Sequence, residues 1–336
     1  MYLKDISLKS YNTFGVEAKA QKFISIDHPQ NFEELFTRTD WQNKFYILAG
    51  GSNVLFTGDF EGTIIWINNK GINILKETAE EVWVEVAAGE EWDDFVKWCV
   101  SQNFGGIENM GLIPGKCGSS AVQNIGAYGV EAKDTIYEVR GLEIPSGEKR
   151  VLYNSECQFN YRYSIFKGEL KNKVLITSVV YKLSKNAKPK LNYHSLVGFL
   201  TSKNIQNPSI NDVYEAVCEI RREKLPDHKE IANAGSFFKN PIIEPDFFEE
   251  LKLKHSDLVF WELPNGKIKL AAGQLIEKCG WKGKRIGDAG VYEKQALVLV
   301  NHGKASGKEM YDLAKTIIQD VSDIFGIILD PEVIIL

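Results

Sequence analysis

Two glycine-rich segments, which we expect to be loops, hold the residues best suited to bind a phosphorylated ligand. The first is 49–53, with the sequence AGGSN, directly after the apolar run FYIL. The second begins at Pro114 with PGKCGSS and continues through QNIGAYG to Gly129. Glycine permits positive φ and close backbone approach, so successive amide N–H groups can surround phosphate oxygens. The serine and asparagine side chains between the glycines would add hydrogen bonds to a pyrophosphate.

Ordinary turns would also explain a single pair of glycines. Between Gly105 and Gly129, however, seven glycines are interleaved with Ser, Asn and Gln, which favours a ligand-binding segment. No GxGxxG follows a strand, which argues against a dinucleotide-binding Rossmann unit. A P-loop requires GxxxxGK followed by Ser or Thr, but Met110 and Cys117 occupy the first glycine position and the hydroxyl position. A dinucleotide would therefore bind in another way.

Short strands and helices surround these segments. Val82, Val84 and Val86 alternate with other residues, which predicts a half-buried strand, and 92–99 shows the apolar spacing of an amphipathic helix. A hairpin is predicted around Pro145-Ser-Gly, and strands are predicted at 173–181 and 331–336. A helix with Asn211 as its N-cap is predicted to end by Pro226. Two further helices, at 271–279 and 306–325, are predicted to stop at Gly280 and Gly326. Strands and helices mix without a regular βαβ repeat, so the predicted fold class is α+β.

The chain has 336 residues, which is too long for one ordinary core. The pattern of predicted strands, helices and glycine-rich stretches changes along the sequence. This change predicts three parts, 1–70, 71–204 and 205–330. Residues 331–336 would form a terminal strand that returns to the functional site.

Composition limits the function classes. Hydrophobic residues make up 44% and charged residues 25% of the chain, which is typical of a globular protein. The net charge of −5 argues against binding to the negatively charged backbone of a nucleic acid. The five cysteines include no CxxC pair, which argues against a metal site or a disulfide framework. The first residues lack the apolar core of a signal peptide, and no apolar run is long enough to span a membrane. A cytoplasmic protein without membrane or nucleic-acid partners is therefore expected. We also expect a monomer, although composition does not bear on this.

Eight segments carry a resemblance to a known family, and they cover nearly the whole chain. They are NTFG from Asn12, GGSNVLF from Gly50, GLIPGKCGSSAVQNIGAYG from Gly111, YRYSIFK from Tyr161, NAGSFFKNP from Asn233, AAGQLIEKCGWKG from Ala271, QALVLVN from Gln295 and PEV from Pro331. In this order, they closely resemble the UDP-N-acetylenolpyruvoylglucosamine reductases. The stretch KLNYHSLVGFL from Lys190 looks like the substrate-capping loop of the family's longer type.

The resemblance implies a two-part FAD-binding fold of the p-cresol methylhydroxylase and vanillyl-alcohol oxidase type, followed by a C-terminal α+β substrate domain. None of the five histidines lies in either glycine segment, so the implied FAD is non-covalent and NADPH is its co-substrate. The implied cofactor residues are Gly50, Gly51, Ser52, Asn53, Pro114, Gly115, Gly118, Ser119, Ser120, Ile125 and Gly126.

The implied reaction reduces the vinyl ether of UDP-N-acetylglucosamine enolpyruvate. By the family motifs, Arg162 would pair with the substrate carboxylate and Ser236 would donate a proton. Glu332 would orient or polarise the developing enediolate, either protonated or through water. The implied substrate-binding residues are Tyr128, Tyr161, Tyr193, Lys224, Asn240 and Gln295, and Lys224 with Lys239 would supply a local positive field.

Each of these residues also has a purely structural interpretation. Arg162 could serve an ion pair, Ser236 a turn cap, Glu332 a solvated strand edge and Lys224 a basic helix end. Two other functions also stay open, a flavin oxidase of the same fold and a non-catalytic flavin-binding or sugar-nucleotide-binding module. NAGSFFKNP argues against the oxidase, and substrate turnover would exclude the module.

Overall fold

The computed structural model describes residues 2–336, which contain helices and strands throughout. The α-helices of these residues are α1 Gln30–Arg38, α2 Trp92–Ser101, α3 Cys117–Gln123, α4 His194–Ser202, α5 Ile210–Lys224, α6 Pro245–Lys254, α7 Ala272–Lys278 and α8 Gly307–Phe325. The strands are β1 Tyr2–Ser7, β2 Lys19–Ile26, β3 Phe45–Leu48, β4 Val54–Leu55, β5 Phe60–Ile67, β6 Ile72–Glu77, β7 Glu81–Ala87, β8 Gly126–Ala127, β9 Val130–Glu131, β10 Ile136–Glu143, β11 Lys149–Tyr153, β12 Val174–Ser184, β13 Ala232–Ser236, β14 Ile242–Ile243, β15 Phe260–Glu262, β16 Ile268–Leu270, β17 Arg285–Ile286, β18 Ala289–Val291, β19 Val298–Asn301 and β20 Ile334–Ile335.

The chain forms two compact units that interleave along the sequence. The first consists of Met1–Ile6, Ala20–Gly50 and Glu61–Glu223, and the second of Ser7–Lys19, Gly51–Phe60 and Lys224–Leu336. The three-part division at 70, 204 and 330 stays a prediction.

The first unit is built on a five-stranded antiparallel sheet with the order β11-β10-β12-β7-β6. The inward residues of β7, Val82, Val84 and Val86, are fully buried, which confirms the predicted alternation. The apolar face of α2 joins the same core, together with Ile65 and Ile67 from a second sheet of order β1-β2-β5-β3. In that second sheet β3 runs parallel to β5 and delivers the chain to Gly50.

The start of α5 differs from the sequence-based prediction. The helix begins at Ile210, so Asn211 lies inside it and was wrongly predicted as the N-cap. Ser209 takes that position because its hydroxyl accepts the amide of Asp212 at 3.2 Å, while the Asp212 carboxylate accepts the Ser209 amide at 2.8 Å. These reciprocal bonds form a capping box. The Ser209 hydroxyl also donates to the Asp212 carboxylate at 2.7 Å, and this bond, followed by the one from the Ser209 amide, holds the pKa of Asp212 below its ordinary value.

The second unit combines the sheet β13-β19-β18-β17 with α8. Ser306 caps α8 in a capping box with Glu309. Gly326 follows the helix with φ +68°, and the predicted stop at this glycine is confirmed. The terminal strand is shorter than expected, since only Ile334–Ile335 pairs as a strand, parallel to β4. The segment before it is held instead by hydrogen bonds to Phe237 and Lys239, which follow β13.

The cap of α5 can be tested by two neighbouring substitutions. Ser209→Ala removes the hydroxyl that accepts the Asp212 amide, and we expect a loss of about 1 kcal/mol of unfolding free energy. Asn211→Ala should change stability by less than about 0.5 kcal/mol, because Asn211 is an exposed position inside the helix. Urea unfolding of both variants measures the difference. A larger loss in Asn211→Ala than in Ser209→Ala would contradict the assigned cap.

Candidate active site

The first glycine segment needs glycine for steric reasons. Gly51 has φ +64°, and a Cβ placed on it would lie 2.0 Å from the carbonyl oxygen of Tyr11. A Cβ on Gly50 would lie 3.0 Å from the Cα of Gly115, so within the first unit the two glycine segments touch backbone to backbone. A larger residue at either position would force the chain apart.

Several amides of these segments donate to no protein acceptor in residues 2–336. In the first unit they are the amides of Gly50, Gly115 and Lys116, and in the second unit those of Gly51 and Asn53. Amide groups without a partner, in segments where glycine leaves the backbone open, are suited to donate hydrogen bonds to phosphate oxygens.

The second segment is not a continuous loop, which corrects the sequence-based description. Cys117–Gln123 is the helix α3, and it contains Gly118, Ser119 and Ser120. The Ser119 hydroxyl donates to the Lys116 carbonyl at 2.6 Å. Ser120 is fully buried and lies 2.6 Å from both the Cys117 carbonyl and the Tyr181 hydroxyl. The Ser120 side chain therefore serves the core, and the assignment of these three residues to the cofactor stays a prediction.

Lys116 links the second glycine segment to the end of β5. Its side chain is only 3% exposed, and its ammonium donates to the carbonyl of Ile67 at 3.0 Å and to Oδ1 of Asn68 at 2.8 Å. The ammonium also lies 4.5 Å from the ring centre of Trp66, whose indole N–H donates to the Ala49 carbonyl at 3.1 Å. Burial lowers the pKa of Lys116 to about 8. Through these bonds Lys116 positions the two glycine segments against each other.

The β8–β9 hairpin presents Tyr128 at its tip. Tyr128 and Gly129 form the two-residue turn with φ +48° and +81°, values that a bulky residue rarely adopts. The Tyr128 ring packs edge to face on the Tyr193 ring, with centres 5.2 Å apart. Asn109 donates to the carbonyls of Tyr128 at 3.1 Å and of Lys190 at 2.9 Å, which ties the hairpin to the chain before Tyr193.

Arg162 lies in a tight turn in which Asn160 and Tyr163 exchange backbone hydrogen bonds of 3.0 Å. Its φ is +51°, an uncommon value for arginine, and such strain is concentrated at functional sites. One guanidinium nitrogen donates to the Gly126 carbonyl at 3.1 Å, and Lys167 donates to the Arg162 carbonyl at 3.0 Å. The structure thus brings Arg162 to β8, next to the predicted cofactor residues Ile125 and Gly126.

Arg221 is a candidate residue that the sequence analysis missed. It donates to the Leu112 carbonyl at 3.2 Å, and its buried Nε has no hydrogen-bond partner in the described residues. Burial lowers the pKa of its guanidinium, while the electrostatic interaction with Tyr128 raises it and so partly offsets the effect of burial. The sequence did contain a signal for this residue. Arg221 falls four residues after Val217, so a charged side chain lies on the apolar face of α5. It adds a second guanidinium beside the Tyr128 hairpin.

In the second unit, Ser236 and Glu332 lie on neighbouring segments. The register of β13 against β19 shifts between Asn233 and Ser236, with Gly235 at φ +68°. Ser236 is exposed, and its hydroxyl has no hydrogen-bond partner in residues 2–336. The amide of Glu332 donates to the Phe237 carbonyl at 2.8 Å. Glu332 therefore pairs with the residue directly after Ser236, which brings the two predicted catalytic residues onto adjacent positions.

The remaining predicted substrate residues are more dispersed. Asn240 accepts the Ala272 amide through Oδ1 at 3.0 Å, and Gln295 accepts the Leu297 amide through Oε1 at 3.3 Å. Lys224 is the exposed last residue of α5 and makes no ion pair in the described part of the chain. Lys239 instead pairs with Asp330, so its charge is compensated.

Residues 2–336 offer no group of three or more His, Cys, Asp or Glu side chains placed to hold a metal ion. Across the same residues, no helix combines the length and the apolar character needed to cross a membrane.

Comparisons with known proteins match segments of both units. Residues 226–336 match the family described as UDP-N-acetylenolpyruvoylglucosamine reductase, C-terminal domain, and residues 29–152 match the FAD binding domain family. The UDP-N-acetylenolpyruvoylglucosamine reductase of Flavobacterium johnsoniae is 48% identical, with 98% of each chain covered. That of Chromobacterium violaceum is 43% identical, covering 99% of this chain and 98% of the relative. The chain belongs to the UDP-N-acetylenolpyruvoylglucosamine reductase family.

A solved structure agrees at the level of the fold. The crystal structure of UDP-N-acetylenolpyruvylglucosamine reductase from Thermus caldophilus matches with a TM-score of 0.68 at 22% identity, covering 100% of this chain and 98% of the other. The predicted fold class, an FAD-binding part followed by a C-terminal α+β domain, is confirmed. Both glycine segments lie within the matched FAD-binding region, and their unpartnered amides fit the phosphates of FAD.

The buried charge of Lys116 predicts a dependence of stability on pH. Its folded pKa is about 8 and its ordinary value 10.5, so between these pH values the unfolded chain binds more protons. The free energy of unfolding therefore rises with pH in this window. Relative to Lys116→Met, the parent chain should gain about 3 kcal/mol from pH 8 to pH 10.5. Urea unfolding of both proteins across that range measures the gain.

An exposed lysine supplies the control for this experiment. Lys171 lies on the surface of the same unit and has no side-chain partner in the described residues. The difference between the parent chain and Lys171→Met should stay constant with pH. A constant difference for Lys116→Met as well would show that Lys116 titrates like an ordinary surface lysine.

Proposed function

We propose that Arg162, Ser236 and Glu332 perform the chemistry of the family's reaction in this chain. That reaction reduces UDP-N-acetylglucosamine enolpyruvate to UDP-N-acetylmuramate with NADPH, a step in peptidoglycan precursor synthesis. The observation that carries the proposal is the pairing of Glu332 with Phe237 beside Ser236, whose hydroxyl is uncommitted.

The chemistry divides between the cofactor and the chain. When bound, FAD supplies hydride transfer from NADPH to the terminal vinyl carbon of the substrate. The neighbouring carbon then acquires negative charge, which spreads into the substrate carboxylate. The chain must therefore hold this carboxylate and deliver one proton to the carbon.

Arg162 is proposed to hold the substrate carboxylate. A guanidinium keeps its charge and can bond both carboxylate oxygens in one plane. Its bond to the Gly126 carbonyl, together with the strained turn, fixes where the guanidinium points before substrate arrives. Charge that develops on the substrate is stabilised by such a preorganised donor without rearrangement of the site.

Ser236 is proposed to donate the proton, and Glu332 to orient the developing enediolate. A serine hydroxyl is a weak acid, so the transfer requires a strongly basic carbon close to it. General acid catalysis of this kind contributes roughly 10²–10⁴-fold in rate. Glu332 can interact favourably with the enediolate in its protonated form or through water, since a bare carboxylate would repel the charge.

The other predicted residues are proposed to bind the sugar nucleotide. Tyr128, Tyr161 and Tyr193 offer rings and hydroxyls in the first unit, with Tyr193 45% exposed. Lys224, Asn240 and Gln295 of the second unit would contact the diphosphate and the sugar. We also propose that the protein works as a monomer in the cytoplasm, where NADPH and nucleotide-activated sugars are available.

The proposed function is tested first by turnover and then by Ser236→Ala. Purified FAD-loaded protein should oxidise NADPH beyond the one equivalent that reduces its flavin only when the UDP-enolpyruvyl sugar is present. The absence of such continued oxidation would refute the function. In Ser236→Ala, we expect bleaching of the visible flavin absorbance by NADPH to persist, while its return on addition of substrate slows by roughly 10²–10⁴-fold.

The control for Ser236 is Ser256→Ala, because Ser256 is an exposed serine of the same unit whose hydroxyl makes no hydrogen bond within residues 2–336. It should leave both half-reactions unchanged. Parental rates of both half-reactions in Ser236→Ala would remove Ser236 as the proton donor while leaving the overall reaction in place.

Arg162→Lys tests the carboxylate contact. Lysine keeps the charge but loses the paired donors, so kcat/KM for the enolpyruvyl substrate should fall roughly 10- to 100-fold. Arg150→Lys is the matched control, because Arg150 forms an exposed ion pair with Glu143 at 2.7 Å in the same unit. Steady-state kinetics with NADPH saturating measures both variants. Equal kinetics in the two would favour a structural role for Arg162.

A further inference from the structure

Asn53 contacts the segment that carries Glu332 with both its side chain and its backbone. Its Nδ2 donates to the Glu332 carbonyl at 3.1 Å, and its own carbonyl accepts the Ile334 amide at 3.0 Å. Its backbone amide has no acceptor in residues 2–336. The sequence analysis placed Asn53 in the cofactor site, but its side chain is directed to the chain around Glu332.

The same pairing continues beyond Asn53. Ile334 and Ile335 lie beside Val54 and Leu55 in parallel register. Farther along, the Leu336 amide donates to the Leu55 carbonyl at 2.9 Å, and both the amide and the hydroxyl of Thr57 donate to the Leu336 carbonyl at 2.7 Å. Residues 332–336 are therefore hydrogen-bonded along the length of residues 53–57.

Glu332 is held by both of its peptide groups. Its amide donates to the Phe237 carbonyl at 2.8 Å, and its carbonyl accepts the Asn53 side chain. Because peptide groups are planar, fixing the amide and the carbonyl of one residue fixes the direction of its Cα–Cβ bond. The Glu332 carboxyl can then move only by side-chain rotation.

We propose that Asn53 is a positioning residue for Glu332, which couples the cofactor segment 50–53 to the placement of that carboxyl. The inference rests on the proposed function, because it assigns a purpose to the position of Glu332. The amide of Asn53 is left for the cofactor phosphates, while its side chain sets the Glu332 peptide. Cofactor bound at this segment therefore stabilises the bonded position of Glu332, and the coupling acts equally in the other direction.

Hydrogen exchange of the FAD-loaded protein tests the anchoring directly. Asn53→Ala removes the donor, and Asn53→Asp keeps the side-chain size while offering only acceptors. In both variants, amides 333–336 should exchange roughly three- to tenfold faster than in the parent chain, as expected for loss of one hydrogen bond. The aspartate variant provides the measurement where the alanine variant does not fold. Parental exchange at 333–336 in a variant that retains its flavin absorbance would overturn the proposal.

Asn265→Ala is the matched control. Asn265 is an exposed asparagine of the same unit whose side chain accepts only the Lys267 amide, at 3.2 Å, in the described residues. Its replacement should leave exchange at 333–336 unchanged. Faster exchange there in the control would show general loosening of the unit and would also overturn the proposal.

A double-mutant cycle separates positioning from cofactor binding. Asn53→Ala should lower kcat roughly three- to tenfold, and should have little further effect in a Glu332→Gln background, where the positioned group is already altered. A role in cofactor binding alone predicts weaker retention of FAD and the same proportional loss in both backgrounds, which would overturn the proposal. Full activity of Glu332→Gln would instead refute the proposed role of Glu332, while the exchange experiment still decides whether Asn53 anchors the segment.

Discussion

Close backbone approach at glycine is the constraint on which the proposed cofactor site depends. Gly51 lies against the Tyr11 carbonyl and Gly50 against Gly115, at separations that leave no room for a side chain. Gly307 is similarly confined, since a Cβ there would lie 1.6 Å from the Phe56 carbonyl oxygen. Ordering glycine costs more conformational entropy than ordering other residues. In return, the backbone of the glycine segments stays open, and its unpaired amides remain accessible to a phosphate.

Buried cations provide the second constraint in the first unit. Lys116 is almost fully buried, and its ammonium is satisfied by the Ile67 carbonyl, the Asn68 side chain and the Trp66 ring. A buried charge is tolerated only where such partners surround it, so this lysine specifies the local arrangement of β5 and the glycine segment rather than adding stability. Arg221 differs, because its Nε lacks a partner in the described residues, and it is therefore better suited to meet an anionic group.

Periodicity was sufficient to predict β7 and α2, which both contribute to the core of the first unit. The alternation in β7 and the apolar spacing in α2 each depend on one face of one element, which is a local property of the sequence. Composition was a poorer guide in the segment after Pro114, because Gly, Ser and Ala there suit a helix packed closely on Ala88 as well as a loop. Asn211 was a plausible cap by residue type, but the reciprocal bonds of Ser209 and Asp212 placed the helix start two residues earlier.

The site residues were predictable only where a motif marks them, and their mutual placement was not. No local pattern indicates that residues 332–336 lie along residues 53–57, since that pairing joins positions 279 apart in the chain. It arises because the backbone groups of the final segment must find partners, and the open edge of β4 and the Phe237 carbonyl just after β13 supply them. The consequence for the proposed mechanism is that the peptide groups of Glu332 are held from two sides, by the Phe237 carbonyl and by the Asn53 side chain. A catalytic group held in this way needs little reorganisation when charge develops on the substrate, which is the condition under which electrostatic stabilisation is most effective.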